Sequence, residues 1–341
     1  MPRPVSNPPN PWLSNHVEWL GEPPPAALEV FEERARSILS ENQSPDVPFR
    51  WSVNPYRGCF HGCAYCYARP SHEYLGWGAG TDFERRIVVK VNAPLVLRQS
   101  FEKRSWRGET VTFSGVTDCY QPLEASYGLT RACLEVCLEY RNPVGVITKG
   151  LLIRRDVELL RQLSERAAVL VFVSIPFADA ARARKIEPFV PAPAQRLETI
   201  RVLADAGIPT GVAIAPIIPG LNDSDLAEIL ARAREAGATR AFQILLRLPA
   251  EVLPVFEERL RAELPERADR VLNAIRDVRG GQLSDPRFGE RMHGNGARWD
   301  AIAGLFETLC RRHGLSTGEA RSPEASTFRR PSVQGDLFAT G

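Results

Sequence analysis

No apolar run in these 341 residues approaches the roughly 18 that a membrane span requires. The opening "MPRPVSNPPNPW" contains no apolar h-region, so no secretory signal is expected and the compartment reading is cytoplasmic. Charge of one sign is scarce as well: 43 Lys and Arg stand against 41 Asp and Glu, a formal net charge of +2. That balance permits a nucleic-acid partner without arguing for one. The sequence also lacks a second Cys-x2-Cys pair, which a structural zinc site built from two ligand pairs would need. Its seven cysteines are an odd number and three of them are clustered. Without an export signal, that pattern favours metal or redox chemistry over a disulfide framework.

With 44% apolar and 25% charged residues, the chain has the composition of a globular protein with a full-sized core. Residues 1–25 carry eight prolines and read as an extended or disordered arm. From Ala26 to about Glu41 apolar residues recur at helical spacing, predicting a helix. "RRIVVKV" (85–91) reads as a strand, with the helix "APLVLRQSFEK" after it. A regular series follows: strand-like 110–116, 144–148, 168–175, 209–217 and 240–246, with helical 129–140, 154–166, 193–207 and 224–237 between them. The strands are apolar almost throughout, as in a parallel sheet buried on both faces. Their alternation with helices means βαβ units. Counting the short strand before Cys59 gives about six units, fewer than the eight of a closed TIM barrel. The expected fold is therefore an α/β partial (β/α)6 TIM-like barrel. Its core spans 26–250, with a helical extension at 251–313 and a flexible tail at 314–341.

"NPYRGCFHGCAYCYARP" (54–70) places Cys59, Cys63 and Cys66 on a glycine-punctuated loop directly after a strand, where a parallel barrel carries its active site. Thiolates select zinc or iron–sulfur clusters. Three thiolates around a 4Fe–4S cube leave one iron open to a small molecule. The alternative is a zinc site completed by His61 or Cys119.

The spacing C-x3-C-x-aromatic-C, with Tyr65 as the aromatic, resembles the signature of the radical S-adenosylmethionine (SAM) superfamily. The resemblance implies a 4Fe–4S cluster on Cys59, Cys63 and Cys66. It implies SAM chelating the unique iron and reductive cleavage to a 5′-deoxyadenosyl radical. An electron donor such as a flavodoxin or ferredoxin is implied too. A narrower likeness covers most of residues 45–250. "NPYRGCFHGCAYCYARPSHEYLG", "TDCYQPLE", "ITKG", "APIIPGLND" and "LLRLP" look like the photolyase-like branch that contains spore photoproduct lyase. That branch implies a DNA substrate in repair or modification. It also places Lys149 near the SAM carboxylate, Thr117 and Ser174 near its amino acid or ribose, and Ala215 near the adenine, with Tyr65 of the cysteine motif as a fifth cofactor-binding residue. One departure stands out: the branch's hydrogen-donating cysteine, three residues before Asp118, is here Gly115. Cys119 and then Tyr120, beside Asp118, become the expected hydrogen source and catalytic residues.

"TDCYQPLE" is dense in polar groups, so Asp118, Tyr120, Gln121 and Glu124 are expected to line a pocket. His72 and His293 are candidate substrate contacts, and Arg247 a candidate phosphate ligand or structural ion-pair partner. Cys133, Cys137 and Cys310 share helical faces with apolar residues and read as core. Near the end, "QGDLF" resembles the short bacterial sliding-clamp-binding motif, with Gln334, Leu337 and Phe338 as anchors. Two other functional readings remain open: radical chemistry on a peptide, RNA or small molecule, and a non-catalytic nucleic-acid-binding protein with a structural metal.

Overall fold

A computed structural model describes residues 27–317 and 326–331. Its ten strands are β1 (Glu29–Glu33), β2 (Leu39–Glu41), β3 (Trp51–Val53), β4 (Tyr56–Arg57), β5 (Arg86–Lys90), β6 (Val111–Phe113), β7 (Val144–Thr148), β8 (Val169–Ser174), β9 (Thr210–Ile217) and β10 (Arg240–Leu245). Seven form one sheet in the order β10-β9-β8-β7-β6-β3-β2. From β3 to β10 every pairing is parallel, and β2 closes one edge antiparallel to β3. This is an open partial barrel of six parallel strands. Trp51, Val111, Val144 and Val169 lie in one register row, so the strands start together and the loops at their far ends share one mouth. The open edge at β10 is covered by Ser316, which bridges to Arg240, and such cover removes a template for strand addition.

The apolar strand runs pack on the helices Leu129–Glu139, Val157–Arg166, Pro193–Asp205 and Leu226–Glu235 to form the main core. Cys133, Cys137 and Cys310 are buried in it, as their helical spacing predicts. No helix among the described residues is long and apolar enough to cross a membrane.

Three expectations change. Residues 26–41 form no helix. Their apolar residues follow a strand instead: β1 pairs in parallel with β5, which also pairs with β4, in a separate three-stranded sheet. Partners distant in sequence override the local periodicity. The helical extension is also no appendage. Helices Val252–Glu263 and Pro265–Asp277 share a hydrophobic cluster with Cys63 and Tyr65, forming a wall behind the cysteine loop. Finally, the tail is docked at 326–331. Phe328 lies 5.9 Å from the Phe101 ring and 6.0 Å from that of Tyr140. Arg330 donates to the carbonyls of Phe101, Lys103 and Trp106, near the end of helix Ala93–Glu102. These contacts precede β6 and β7, at the end of the barrel opposite the mouth. The proline-rich arm and the Gln334–Phe338 motif lie outside the described residues.

Candidate active site

The cysteine loop is held by buried side chains. At Gly58 φ is +78°, and a Cβ would come within 2.9 Å of the Phe83 carbonyl oxygen. Only glycine meets both demands. Arg69, fully buried, donates to the carbonyls of Gly62, Cys63, Ala79 and Gly80 and pairs with Glu84 at 2.5 Å. Gln121 accepts from the Phe60 N–H at 3.0 Å and donates to the Gly58 carbonyl at 3.2 Å. Cys59 and Cys63 are buried and Cys66 is half-buried. Burial raises the Cys63 thiol well above its ordinary range, Glu187 adds to this and Lys149 opposes it. Burial and the neighbouring Cys59 push Cys66 up to about 11. A metal bound here would have to displace protons from these sulfurs.

Across the mouth, the ends of β7 and β8 bring Lys149 and Ser174 to the loop. Lys149 Nζ donates to Ser174 Oγ at 2.9 Å and stands 5.8 Å over the Tyr65 ring. Ser174 Oγ donates in turn to the Ala215 carbonyl at 3.3 Å. Four of the five residues expected around SAM, namely Tyr65, Lys149, Ser174 and Ala215, thus form one contiguous group. Thr117 is apart from it, buried with its hydroxyl donating to the Tyr56 carbonyl at 3.2 Å. Beneath the group, the Tyr65 hydroxyl donates to Glu187, whose other oxygen takes Arg196 Nη2 at 2.8 Å.

The "TDCYQPLE" turn is a scaffold and not a pocket lining. Asp118 Oδ1 accepts from Thr148 Oγ1 at 2.6 Å, and Oδ2 from the Lys149 N–H at 2.7 Å. His61 Nδ1 stands 3.4 Å from Oδ2, an ion-pair distance without a formed hydrogen bond. Burial works against the Asp118 charge, but His61 and these donors hold the carboxyl at about 2. Tyr120 is buried against Asp156, its hydroxyl 3.1 Å from Oδ2, and Glu124 is buried under Tyr56, Thr130 and Arg155. Cys119 lies in the main core at 1% exposure, apart from the cluster that contains Cys63 and Tyr65. His72 is also enclosed: its Nε2 meets the Arg86 carbonyl at 2.7 Å, and burial lowers it to about 4. His293 is exposed.

Tyr67, the residue after the last loop cysteine, was not singled out by sequence reasoning. It is 50% exposed at the mouth, donates its phenolic hydrogen to the Gly115 carbonyl, and carries the Arg247 guanidinium 5.5 Å over its ring. The signal available was its place in the cysteine motif. Its link to Gly115 is visible only in three dimensions.

The Radical SAM superfamily model matches residues 53–233. The chain belongs to the radical SAM superfamily. An uncharacterised protein of Mycobacterium tuberculosis is 41% identical over 195 residues, 57% of each chain, so the chain spans little more than half of that relative. The "Radical SAM Nalpha-GlyT isomerase" of Pseudomonas phage M6 is 24% identical over 277 residues, 78% of this chain and 55% of that one. Among solved structures, spore photoproduct lyase complexed with dinucleoside spore photoproduct superposes with a TM-score of 0.57. It is 16% identical, with 83% of this chain and 78% of that one covered, a likeness of fold.

Superfamily membership implies a 4Fe–4S cluster and SAM, and this radical SAM chain has a donor set that fits them. The three thiols interact electrostatically with one another. Among the described residues, however, no three His, Cys, Asp or Glu converge on a point that one metal ion would occupy. Three thiolates suit a 4Fe–4S cube with one iron left open. Of the two residues that could complete a zinc site, Cys119 is in the main core, and His61 lies between the Cys59 thiol and Asp118.

Proposed function

We propose that this protein is an iron–sulfur enzyme that cleaves SAM reductively to start carbon-radical chemistry on a nucleic acid, in repair or modification of the photoproduct-lyase kind. One observation carries the reading: Lys149, Ser174 and Tyr65 meet at the strand ends that face the three loop thiols. When bound, the cluster and SAM supply scission of the sulfonium bond and an oxidant strong enough to take hydrogen from carbon. The chain supplies the rest. Cys59, Cys63 and Cys66 hold the cluster. The Lys149 ammonium pairs with the SAM carboxylate, a point charge suited to it. Ser174 and the Ala215 backbone complete that subsite, and Asp118 fixes the Lys149 backbone.

At the substrate side the mouth offers the half-buried Arg247 cation above Tyr67. The hydrogen source expected at Cys119 requires a group at the mouth, and Tyr67 is the phenol there. A tyrosine phenol keeps its proton at neutral pH. In the proposed step Tyr67 gives a hydrogen atom to the substrate radical. The phenoxyl left behind is restored by one proton and one electron from a low-potential flavodoxin or ferredoxin. The nucleic-acid reading draws on the fold likeness to a lyase solved with a dinucleoside photoproduct.

The test is anaerobic reconstitution followed by iron and sulfide analysis, 5′-deoxyadenosine assay after reduction, and a screen of damaged DNA against RNA and peptides. Cys63→Ala should lose both cluster and SAM cleavage. Intact SAM cleavage in that variant would overturn the cluster assignment. Turnover on a peptide and on no nucleic acid would keep the chemistry and remove the DNA substrate.

A further inference from the structure

The segment that ends helix Ala180–Ile186 holds the cysteine loop at three points. The Ile186 carbonyl accepts from the Ala64 N–H at 3.0 Å, and the Phe189 N–H donates to the His61 carbonyl at 3.3 Å. Between them, Glu187 accepts from the Tyr65 hydroxyl. Glu187 also leads onward. Its second oxygen takes Arg196 Nη2 at 2.8 Å, and Arg196 Nη1 donates to the Ser174 carbonyl at 2.8 Å. Ser174 is the last residue of β8, and its hydroxyl receives Lys149 Nζ at 2.9 Å. Hydrogen bonds thus run from the motif aromatic to Ser174 through a buried ion pair, Glu187 at 1% exposure and Arg196 at 0%. As a source of stability such a pair is weak, because desolvating two ions offsets most of their attraction. Arg196 Nε is in addition buried with no hydrogen-bond partner, a further cost. What the pair does supply is geometry: a planar guanidinium fork fixes the spacing between the two groups it binds.

We propose that Glu187 and Arg196 are positioning residues that lock Tyr65 to the end of β8, so that the cysteine loop and the Lys149–Ser174 subsite keep one fixed relation. Neither residue belongs to the cysteine motif or to the group expected around SAM. They act through Tyr65 at one end and the Ser174 backbone at the other. The purpose of the lock rests on the proposed SAM site, but the lock itself is a property of the chain without ligands.

The test uses the full chain, first without cluster or SAM and then reconstituted anaerobically. Glu187→Gln combined with Arg196→Gln removes both charges together, so no lone ion is left buried. Without ligands, amide hydrogen exchange in this double variant should quicken roughly threefold or more at both 59–66 and 172–176. Tyr65→Phe removes one hydroxyl, leaves the ion pair whole, and should quicken exchange at 59–66. After reconstitution both variants should keep their iron and bind SAM about tenfold more weakly. Adding Tyr65→Phe to the double variant should weaken SAM binding little further, because the three side chains act through one connection. The proposal is overturned by unchanged exchange at 59–66 in the double variant, by SAM affinity equal to wild type, or by fully additive losses. A wild-type protein that holds its cluster and binds no SAM would instead overturn the proposed function, and the exchange result would then decide the lock.

Discussion

Tyr67 donates its phenolic hydrogen to the carbonyl oxygen of Gly115. The residue after the last loop cysteine is thereby tied to the position where the photoproduct-lyase pattern carries its hydrogen-donating cysteine. Phenol and glycine together leave room at the mouth and place an O–H there. Tyr67→Phe should retain iron and 5′-deoxyadenosine formation. Product on a cognate substrate should fall by tenfold or more, with misquenched adducts in its place. Freeze-quenched wild-type enzyme should show a phenoxyl signal by electron paramagnetic resonance, and the variant should not. Normal product from Tyr67→Phe would remove the phenol from the mechanism.

Lys149 sets a second expectation. Its ammonium reaches Ser174 and the Tyr65 ring and has no carboxylate partner among the described residues. A charge-assisted contact with a SAM carboxylate is worth about 1.5–3 kcal/mol, so Lys149→Ala should weaken SAM binding by roughly one to two decades. Iron content should be unchanged, because the lysine touches no ligand through a hydrogen bond. Equal SAM affinity in variant and wild type would make Lys149 a scaffold residue.

The parallel strands, their helices and the cysteine motif were legible because each rests on local pattern: apolar runs, helical periodicity and fixed spacing. What was not legible depends on partners far apart in the chain. Residues 29–33 look helical alone and become a strand because β5, more than fifty residues later, pairs with them. Asp118, Gln121 and Glu124 look like pocket groups until their acceptors and donors are counted, and then they are seen to hold other loops together. Cys119 has the residue type of a hydrogen donor but a core position. Burial decides between such readings, and residue type does not report it.

Glu73 carries a pH signature. Its carboxyl is raised to about 7 by burial and by the neighbouring Glu251 carboxylate. The folded protein therefore holds a proton that the unfolded chain releases near pH 4.5. Stability contributed at this site is present below about pH 4.5 and lost as pH rises toward about 7. Glu73→Gln should raise the Tm by a few degrees at pH 8 and leave it nearly unchanged at pH 4.5. A Tm difference independent of pH would show that Glu73 titrates as an ordinary carboxylate.

The last expectation concerns the tail. Docking of Phe328 and Arg330 at the barrel end opposite the mouth means that whatever follows residue 331 starts away from the site. A partner bound through Gln334, Leu337 and Phe338 would then leave the mouth free. A peptide covering "SVQGDLFATG" should bind the bacterial sliding clamp, and replacing Leu337 and Phe338 together by Ala should remove most of that affinity. In the full chain the same double replacement should leave SAM cleavage unchanged. Phe328→Ala should instead lower the Tm, by removing an aromatic contact with Phe101 and Tyr140, while clamp affinity persists. No binding of the wild-type peptide at high micromolar concentration would reject recruitment through this motif. Loss of clamp binding in Phe328→Ala would show that docking and recruitment are one interaction, against the separation argued from where the segment leaves the barrel.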